Sequence, residues 1–335
     1  MADSVLMAEV WRGEFAESIH RGHAVVCDAK GEIRAAWGDP DKVILPRSSC
    51  KMLQALPLVE SEAGRHLSTE QLALACASHQ GARMHVERVA RWLEELGLSE
   101  SDLRCGPQVP DDPEERHRLR EQHETPCQLH NNCSGKHAGF LMLNRALGGD
   151  PDYVDPLHQV QRAVRTAFEE MTGMESPGYG IDGCAAPNFA TTVHGLALAM
   201  ARMADPRGLG AVREDAARRL VGGMLAHPLL VAGEGRACSE LMEATGRRVT
   251  VKTGAEALFT AILPEQGLGV ALKIEDGGTR GSECAIAAIL ARLGVVDAAD
   301  PAVLRRLSPP IENRVGASVG KIAPSEAFWQ GGARL

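Results

Sequence analysis

Apolar and polar positions alternate near both ends of the chain and recur with a helical period through its middle. Residues 8–11, 23–27 and 33–37 read as strands, with Asp28-Ala29-Lys30-Gly31 as the turn joining the last two. From Ser48 the period changes, and Met52, Leu53, Leu56 and Val59 fall on one helical face. Pro57 should kink or end that helix. Ser68-Thr69-Glu70-Gln71 resembles a capping box for a helix to about residue 75. Residues 84–96 carry Val86, Val89, Ala90 and Leu93 at amphipathic spacing, with Gly97 as the stop. Residues 111–123, dense in charge, read as a solvated loop or exposed helix. Further helices are expected over about 134–147, 156–171, 191–203, 212–226 and 283–293. Strands are expected over 249–254, 257–263 and 269–274. The segment 178–184 reads as a glycine-rich turn too tight for a regular element. Pro309-Pro310 should separate a short tail.

This order predicts an α/β fold: an antiparallel sheet with helices on its faces plus a helical insertion. We expect residues 1–335 to form a single large catalytic domain. Its sheet would come from about 8–50 and 247–335, and its mostly helical middle from about 51–246.

Composition narrows the function. Hydrophobic residues make up 44%, enough for a packed core, and the formal net charge is -8 with no basic tail. Nucleic acid is therefore not expected as a partner. No apolar run is long enough to span a membrane, and no basic segment leads into an apolar one at the N-terminus. The nine cysteines are odd in number and scattered, which fits a reducing cytoplasm better than a disulfide framework.

Two short strings carry the chemistry. In Pro46-Arg47-Ser48-Ser49-Cys50-Lys51, Ser48 and Lys51 lie three residues apart, on one face if helical. An uncharged lysine there can take the proton of a nucleophilic serine. Alone, this spacing also suits a capping serine beside a solvated lysine, and it recurs at Ser318-Val319-Gly320-Lys321. Lys252-Thr253-Gly254, at the end of an expected strand, favours Ser48. S-x-x-K followed by K-T-G is the arrangement of penicillin-recognising enzymes. Lys51 would be kept uncharged by burial or by a second ammonium, which Lys252 could supply, and an alkaline optimum would follow.

Cys133 and Cys184 each stand in a tight polar loop. Two thiolates plus a nitrogen suit zinc, although lone cysteines are commonly just buried. His79, His85, His137 and His227 read mostly as surface or loop residues, and of these only His137 lies inside a constellation. No phosphate-binding glycine motif is complete.

Taken together, Arg47-Ser48-Ser49-Cys50-Lys51, Cys76-Ala77-Ser78-His79, Asn132-Cys133-Ser134-Gly135-Lys136-His137, Asp182-Gly183-Cys184, Val231-Ala232-Gly233-Glu234-Gly235-Arg236 and Lys273-Ile274-Glu275-Asp276-Gly277 resemble the rhizobial-type (class 3) L-asparaginases, the asparaginase II family. The resemblance spans about residues 8–293. It implies a fold similar to serine β-lactamases and glutaminases, a homodimer, and hydrolysis of L-asparagine to L-aspartate and ammonia. It implies that Ser48 and Lys51 form the catalytic pair and that Lys252 is a second catalytic lysine. It also implies a modulatory, inessential zinc ion (Zn2+) near Cys133, Lys136 and Cys184, and an active-site role for Cys238.

On charge, Asp182 would meet the substrate α-ammonium and Arg47 its α-carboxylate, with His137 beside them. Gln80 stands where we expect the family's second serine, so either this chain depends on Ser48 alone with Lys252 as electrostatic support, or Gln80 orients water or substrate. Two other readings stay open. One is a β-lactamase or penicillin-binding type of serine amidase, and the other is a non-catalytic relative that binds an amino acid or zinc.

Overall fold

The computed structural model describes residues 3–332. The chain divides into two compact units, one of Met1–Cys50, Thr191–Asp205 and Glu240–Leu335, the other of Lys51–Ala190 and Pro206–Ser239.

The first unit holds an eight-stranded antiparallel sheet: β1 Val5–Arg12, β2 Phe15–Asp28, β3 Ile33–Trp37, β4 Thr250–Gly254, β5 Leu258–Leu263, β6 Leu268–Ile274, β7 Pro310–Glu312 and β8 Ser318–Pro324. Their order is β7-β8-β1-β2-β6-β5-β4, with β3 also paired to β2. Every residue of β5 is buried, so both faces of that strand are covered. The helix Val193–Ala204 packs on β2, β5 and β6, and the helix Thr279–Arg292 on β1, β5, β6 and β8. This is the α/β architecture the alternation predicted.

The differences have physical causes. β2 begins eight residues before its expected start, because residues 15–19 are mostly exposed and show no buried side to read. The tail after Pro309-Pro310 is not separate. It supplies β7 and β8, and Ala8 pairs with Pro324 in the sheet. Two prolines at a strand edge are compatible with pairing when their missing N–H faces away from the ladder.

The second unit is mainly helical. Its helix Lys51–Glu60 buries eight residues: Lys51, Met52, Leu53, Gln54, Ala55, Leu56, Leu58 and Val59. It packs against Ser134–Leu147, Gln159–Thr172 and Ala211–Ala226. Pro57 lies inside this helix without ending it, because burial of Leu58 and Val59 holds the following turn. Truncating Leu56, which is fully buried, should cost about 2–5 kcal/mol. The Ser68 capping box forms as expected. The charged stretch contains the helix Pro113–Glu121, capped by Asp112. Tyr179–Ile181 is a strand after all, paired with Pro187–Phe189. Among the described residues no helix is long and apolar enough to cross a membrane.

Candidate active site

In the first unit, Ser48 stands in the 310 turn Arg47–Cys50, which runs directly into the helix Lys51–Glu60. Arg47 adopts φ +53°, a left-handed backbone that non-glycine residues rarely enter. Strain of this kind persists only where surrounding contacts enforce it. Here the Ser49 N–H and hydroxyl both donate to Pro46 O, at 3.2 and 2.7 Å. Thr260 Oγ1 on β5 donates to Ser49 O at 3.0 Å.

The end of β4 lies against the same turn. Gly254 permits the approach, since a Cβ there would stand 2.7 Å from Pro46 O and 3.0 Å from Ser49 N. The lysine-threonine-glycine strand and the serine turn are thus neighbours. Lys252 is 1% exposed, and its Nζ donates to Thr253 O at 2.8 Å.

In the second unit, Lys51 is also 1% exposed. Its Nζ donates to Ala77 O, to Ser78 Oγ at 3.0 Å and to Asn132 O at 3.4 Å. The loop presenting these partners is stitched in place: Ser78 N–H donates to Val231 O, His79 N–H to Asn132 O and Gln80 N–H to Ala232 O. Sequence spacing does not single out Ser78, although it stands in the Cys76-Ala77-Ser78-His79 string. Only a contact across 27 positions reveals it.

Gln80 is engaged elsewhere. Its Nε2 donates to Asp112 Oδ2 at 3.0 Å, and its side chain fills the space under Gly233. A Cβ on Gly233, whose φ is +119°, would stand 2.4 Å from the Gln80 amide carbon.

Lys136 Nζ lies 3.0 Å from Cys184 Sγ. A hydrogen bond from Cys133 brings the Cys184 thiol down to about 4, against burial, with Lys136 adding to the effect. The same hydrogen bond pushes Cys133 up to about 12. Burial opposes the charge on Lys136, but the Cys184 thiolate outweighs it and holds the ammonium above its ordinary value. Within this buried cluster the hydrogen bond from Cys133 and the charge of Lys136 favour the thiolate at Cys184.

As a zinc site it offers two sulfurs and one nitrogen, a donor set that fits once Cys133 and Lys136 release their protons. Among the described residues, no group of three or more His, Cys, Asp or Glu side chains could hold a metal, so the third ligand would have to be Lys136. Asp182, half-buried, accepts the Gly183 N–H at 2.7 Å. Cys238 is buried in the helix Ala237–Ala244.

The histidines differ from expectation. His79, His85 and His137 are buried, because each sits on a loop or helix that packs inward. His79 Nδ1 accepts the Gly81 N–H, and Nε2 is 3.0 Å from Ser134 Oγ. Burial, aided by the nearby cations, holds His79 well below the ordinary imidazole range. His137 Nδ1 lies 2.9 Å from Tyr153 Oη, while its Nε2 has no partner among the described residues. The second Ser-x-x-Lys string is on β8, with Ser318 and Lys321 both exposed.

The family described as L-asparaginase II matches residues 8–324. None of the curated proteins matches the chain significantly. Among solved structures, a crystal structure of Mglu is 14% identical with a TM-score of 0.48, covering 82% of this chain and 67% of that one. The tris and glutamate form of Mglu is 14% identical with a TM-score of 0.48, covering 88% and 63%. A β-lactamase from Mycobacterium bovis is 16% identical with a TM-score of 0.43, covering 81% and 94%. The chain thus spans about two thirds of the length of the Mglu structures.

Proposed function

The chain belongs to the L-asparaginase II family, whose members are asparaginase-type amidohydrolases, and on that premise we propose that it hydrolyses the side-chain amide of L-asparagine to L-aspartate and ammonia. Ser48 attacks the amide carbon and Lys51 takes its proton. Backbone N–H groups, that of Ser48 among them, hold the oxyanion. Ammonia leaves with the proton that Lys51 returns, and water resolves the acyl-enzyme. Arg47 takes the α-carboxylate and Asp182 the α-ammonium, while His137 and Cys238 line the site. Lys252 adds positive charge.

The observation that best supports this reading is the coordination of Lys51. Its three acceptors match the three N–H bonds of an ammonium. These contacts hold the buried amine in one place, and the Ser78 hydroxyl is a second group that can exchange a hydrogen bond with it. Gln80, tied to Asp112, acts more simply as a brace for this loop than as a substitute hydroxyl.

Zinc held by Cys133, Cys184 and Lys136 would supply a Lewis-acid charge that tunes the site. Adding and chelating zinc while following turnover and KM tests this role. Loss of all turnover on chelation would make the metal essential instead of modulatory. We propose a homodimer as the working assembly, which light scattering behind a sizing column would check.

The central test is ammonia release from asparagine and from glutamine by wild-type protein and Ser48→Ala, with a chromogenic β-lactam assayed in parallel. Asparagine turnover that Ser48→Ala abolishes supports the proposal. β-Lactam turnover without asparagine turnover would favour the penicillin-recognising alternative, and asparagine binding without hydrolysis by either protein would favour a non-catalytic relative.

A further inference from the structure

All nine cysteines lie within the described residues, and eight of them are buried. Cys127 alone is half-exposed. It precedes the 310 turn Gln128–His130, in which residues three apart eclipse one another. The turn brings the His130 ring back over Cys127. His130 Nδ1 accepts the Cys127 N–H, with the two nitrogens 3.1 Å apart, and lies 3.3 Å from Cys127 Sγ. The opposite ring nitrogen, Nε2, lies 3.3 Å from Glu115 Oε1. Arg118 clamps that carboxylate, with Nε 3.0 Å from both oxygens and Nη2 2.6 Å from Oε1. Glu115 and His130 are both buried.

We infer that Cys127 is a nucleophilic thiol, activated by His130 and oriented through Glu115 and Arg118, that reacts with hydroperoxides. None of these four residues takes part in the proposed amide hydrolysis, so the inference stands apart from that reading. A nucleophile within reach of a base, and a base held by a third group, is the arrangement that makes a weak nucleophile reactive.

The ionisation agrees with the geometry. Burial alone would raise the Cys127 thiol, but hydrogen bonds from His130 and the Leu129 N–H outweigh it and bring the thiol below its ordinary value, against the nearby Glu100 carboxylate. The Cys127 hydrogen bond holds the His130 imidazole above its own value despite burial, and Glu115 adds to this.

Transfer of the thiol proton to Nδ1 leaves a thiolate. Its sulfur attacks the hydroxyl oxygen of the hydroperoxide. An S–O bond forms, the O–O bond breaks, and the departing alkoxide takes the proton from the imidazolium. The products are a sulfenic acid and an alcohol (water, when the oxidant is hydrogen peroxide). Sulfur loses two electrons and the peroxide gains them.

The test treats native full-length protein with one equivalent of iodoacetamide, or with hydrogen peroxide followed by dimedone, and maps the adducts by mass spectrometry. Cys127 should take the first equivalent, about tenfold faster than glutathione does under the same conditions. Glu115→Gln should slow this severalfold while leaving the far-UV circular dichroism unchanged. Cys127→Ser should remove the fast phase and keep amide hydrolysis at the wild-type rate. A first equivalent landing on another cysteine, or a Cys127 rate no greater than that of glutathione, would overturn the inference. So would an undiminished rate in a folded Glu115→Gln protein.

Discussion

Two Ser-x-x-Lys strings occur in this chain, and they differ in almost everything but spelling. Ser48 stands in the 310 turn Arg47–Cys50, and Lys51, the first residue of the helix Lys51–Glu60, is buried with Ala77 O, Ser78 Oγ and Asn132 O around its amine. Ser318 and Lys321 belong to β8, where the pairing with β7 slips by one residue between Ile311 and Glu312 and both side chains reach solvent. An amine on a flexible, solvent-exposed stem is not held in one position for proton transfer. What makes the first string a candidate for chemistry is the enclosure around it, which three-residue spacing does not specify.

The sharpest way to break this contrast is to remove its reacting atoms. Ser48→Ala should lower asparagine turnover by at least about a thousandfold. Lys51→Met, which keeps the stem and deletes the amine, should cost about 10²- to 10⁴-fold. Both are read by steady-state ammonia release, with circular dichroism as the check on folding. A Ser48→Ala enzyme within a few-fold of wild type would dissolve the distinction between the two strings. Ser78→Ala should fall between, losing about ten- to a hundredfold, because the Lys51 amine would lose one of the groups that hold it in place. If Ser78→Ala lost as much as Ser48→Ala, the nucleophile would have to be reconsidered.

The prominence of Ser78 shows where sequence legibility ended. The strand segments 23–27 and 269–274 were readable because they are short, nearly continuous apolar runs that are buried on both sides. The first half of β2, β7 and β8 were not, since strands that are exposed or only half-buried carry no clear apolar code. Ser48, Lys51 and Lys252 could be linked by motif order, Arg47 and Asp182 by charge alone, and the two thiols of Cys133 and Cys184 by their loops. Ser78, the clamp of Gln80 on Asp112 and the His137 Nε2, which has no partner among the described residues, depend on packing between distant segments. Local spacing holds no information about such contacts. The same reason explains the histidines: polarity suggested surface or loop positions, but His79 stands on a buried loop and His85 and His137 on buried faces of helices.

Gly254 tests whether the strand beside the first string matters. Gly254→Ala must push Pro46 O or Ser49 N aside, so we expect a loss of about 1–3 kcal/mol in urea unfolding together with reduced turnover. A Gly254→Ala protein of wild-type stability and activity would mean the turn tolerates displacement, and the strained Arg47 backbone would then not be needed for catalysis.

The loop that faces Lys51 should also make folding sensitive to acid. His79 is held neutral, with Nδ1 accepting the Gly81 N–H, and its folded pKa is well below the unfolded value of about 6.5. Above that value both states are uncharged and the stability is complete. As pH falls below it, the unfolded chain binds a proton that the folded chain refuses, and stability declines. The slope for one such imidazole reaches about 1.4 kcal/mol per pH unit. Urea midpoints measured between pH 7.5 and 5 should therefore fall, and less steeply in His79→Gln, while equal slopes would remove His79 from the account. His85 and His137 shift in the same direction through burial and share the remaining slope.

The smallest expected effect belongs to the other string. Ser318 and Lys321 are exposed, and neither lies at a cap, a buried charge or a close contact. Ser318→Ala and Lys321→Met, singly or together, should leave turnover unchanged and move stability by no more than about 0.5 kcal/mol, as surface substitutions do. Sharing a strand with buried Ile322 does not change this, because neither substitution alters that side chain. The informative result would be the opposite one. Loss of ammonia release in Lys321→Met with an unchanged urea midpoint would mean that an exposed lysine contributes to the reaction. Enclosure would then no longer separate the two strings, and the case for Lys51 as the base would rest on the Lys51→Met variant alone.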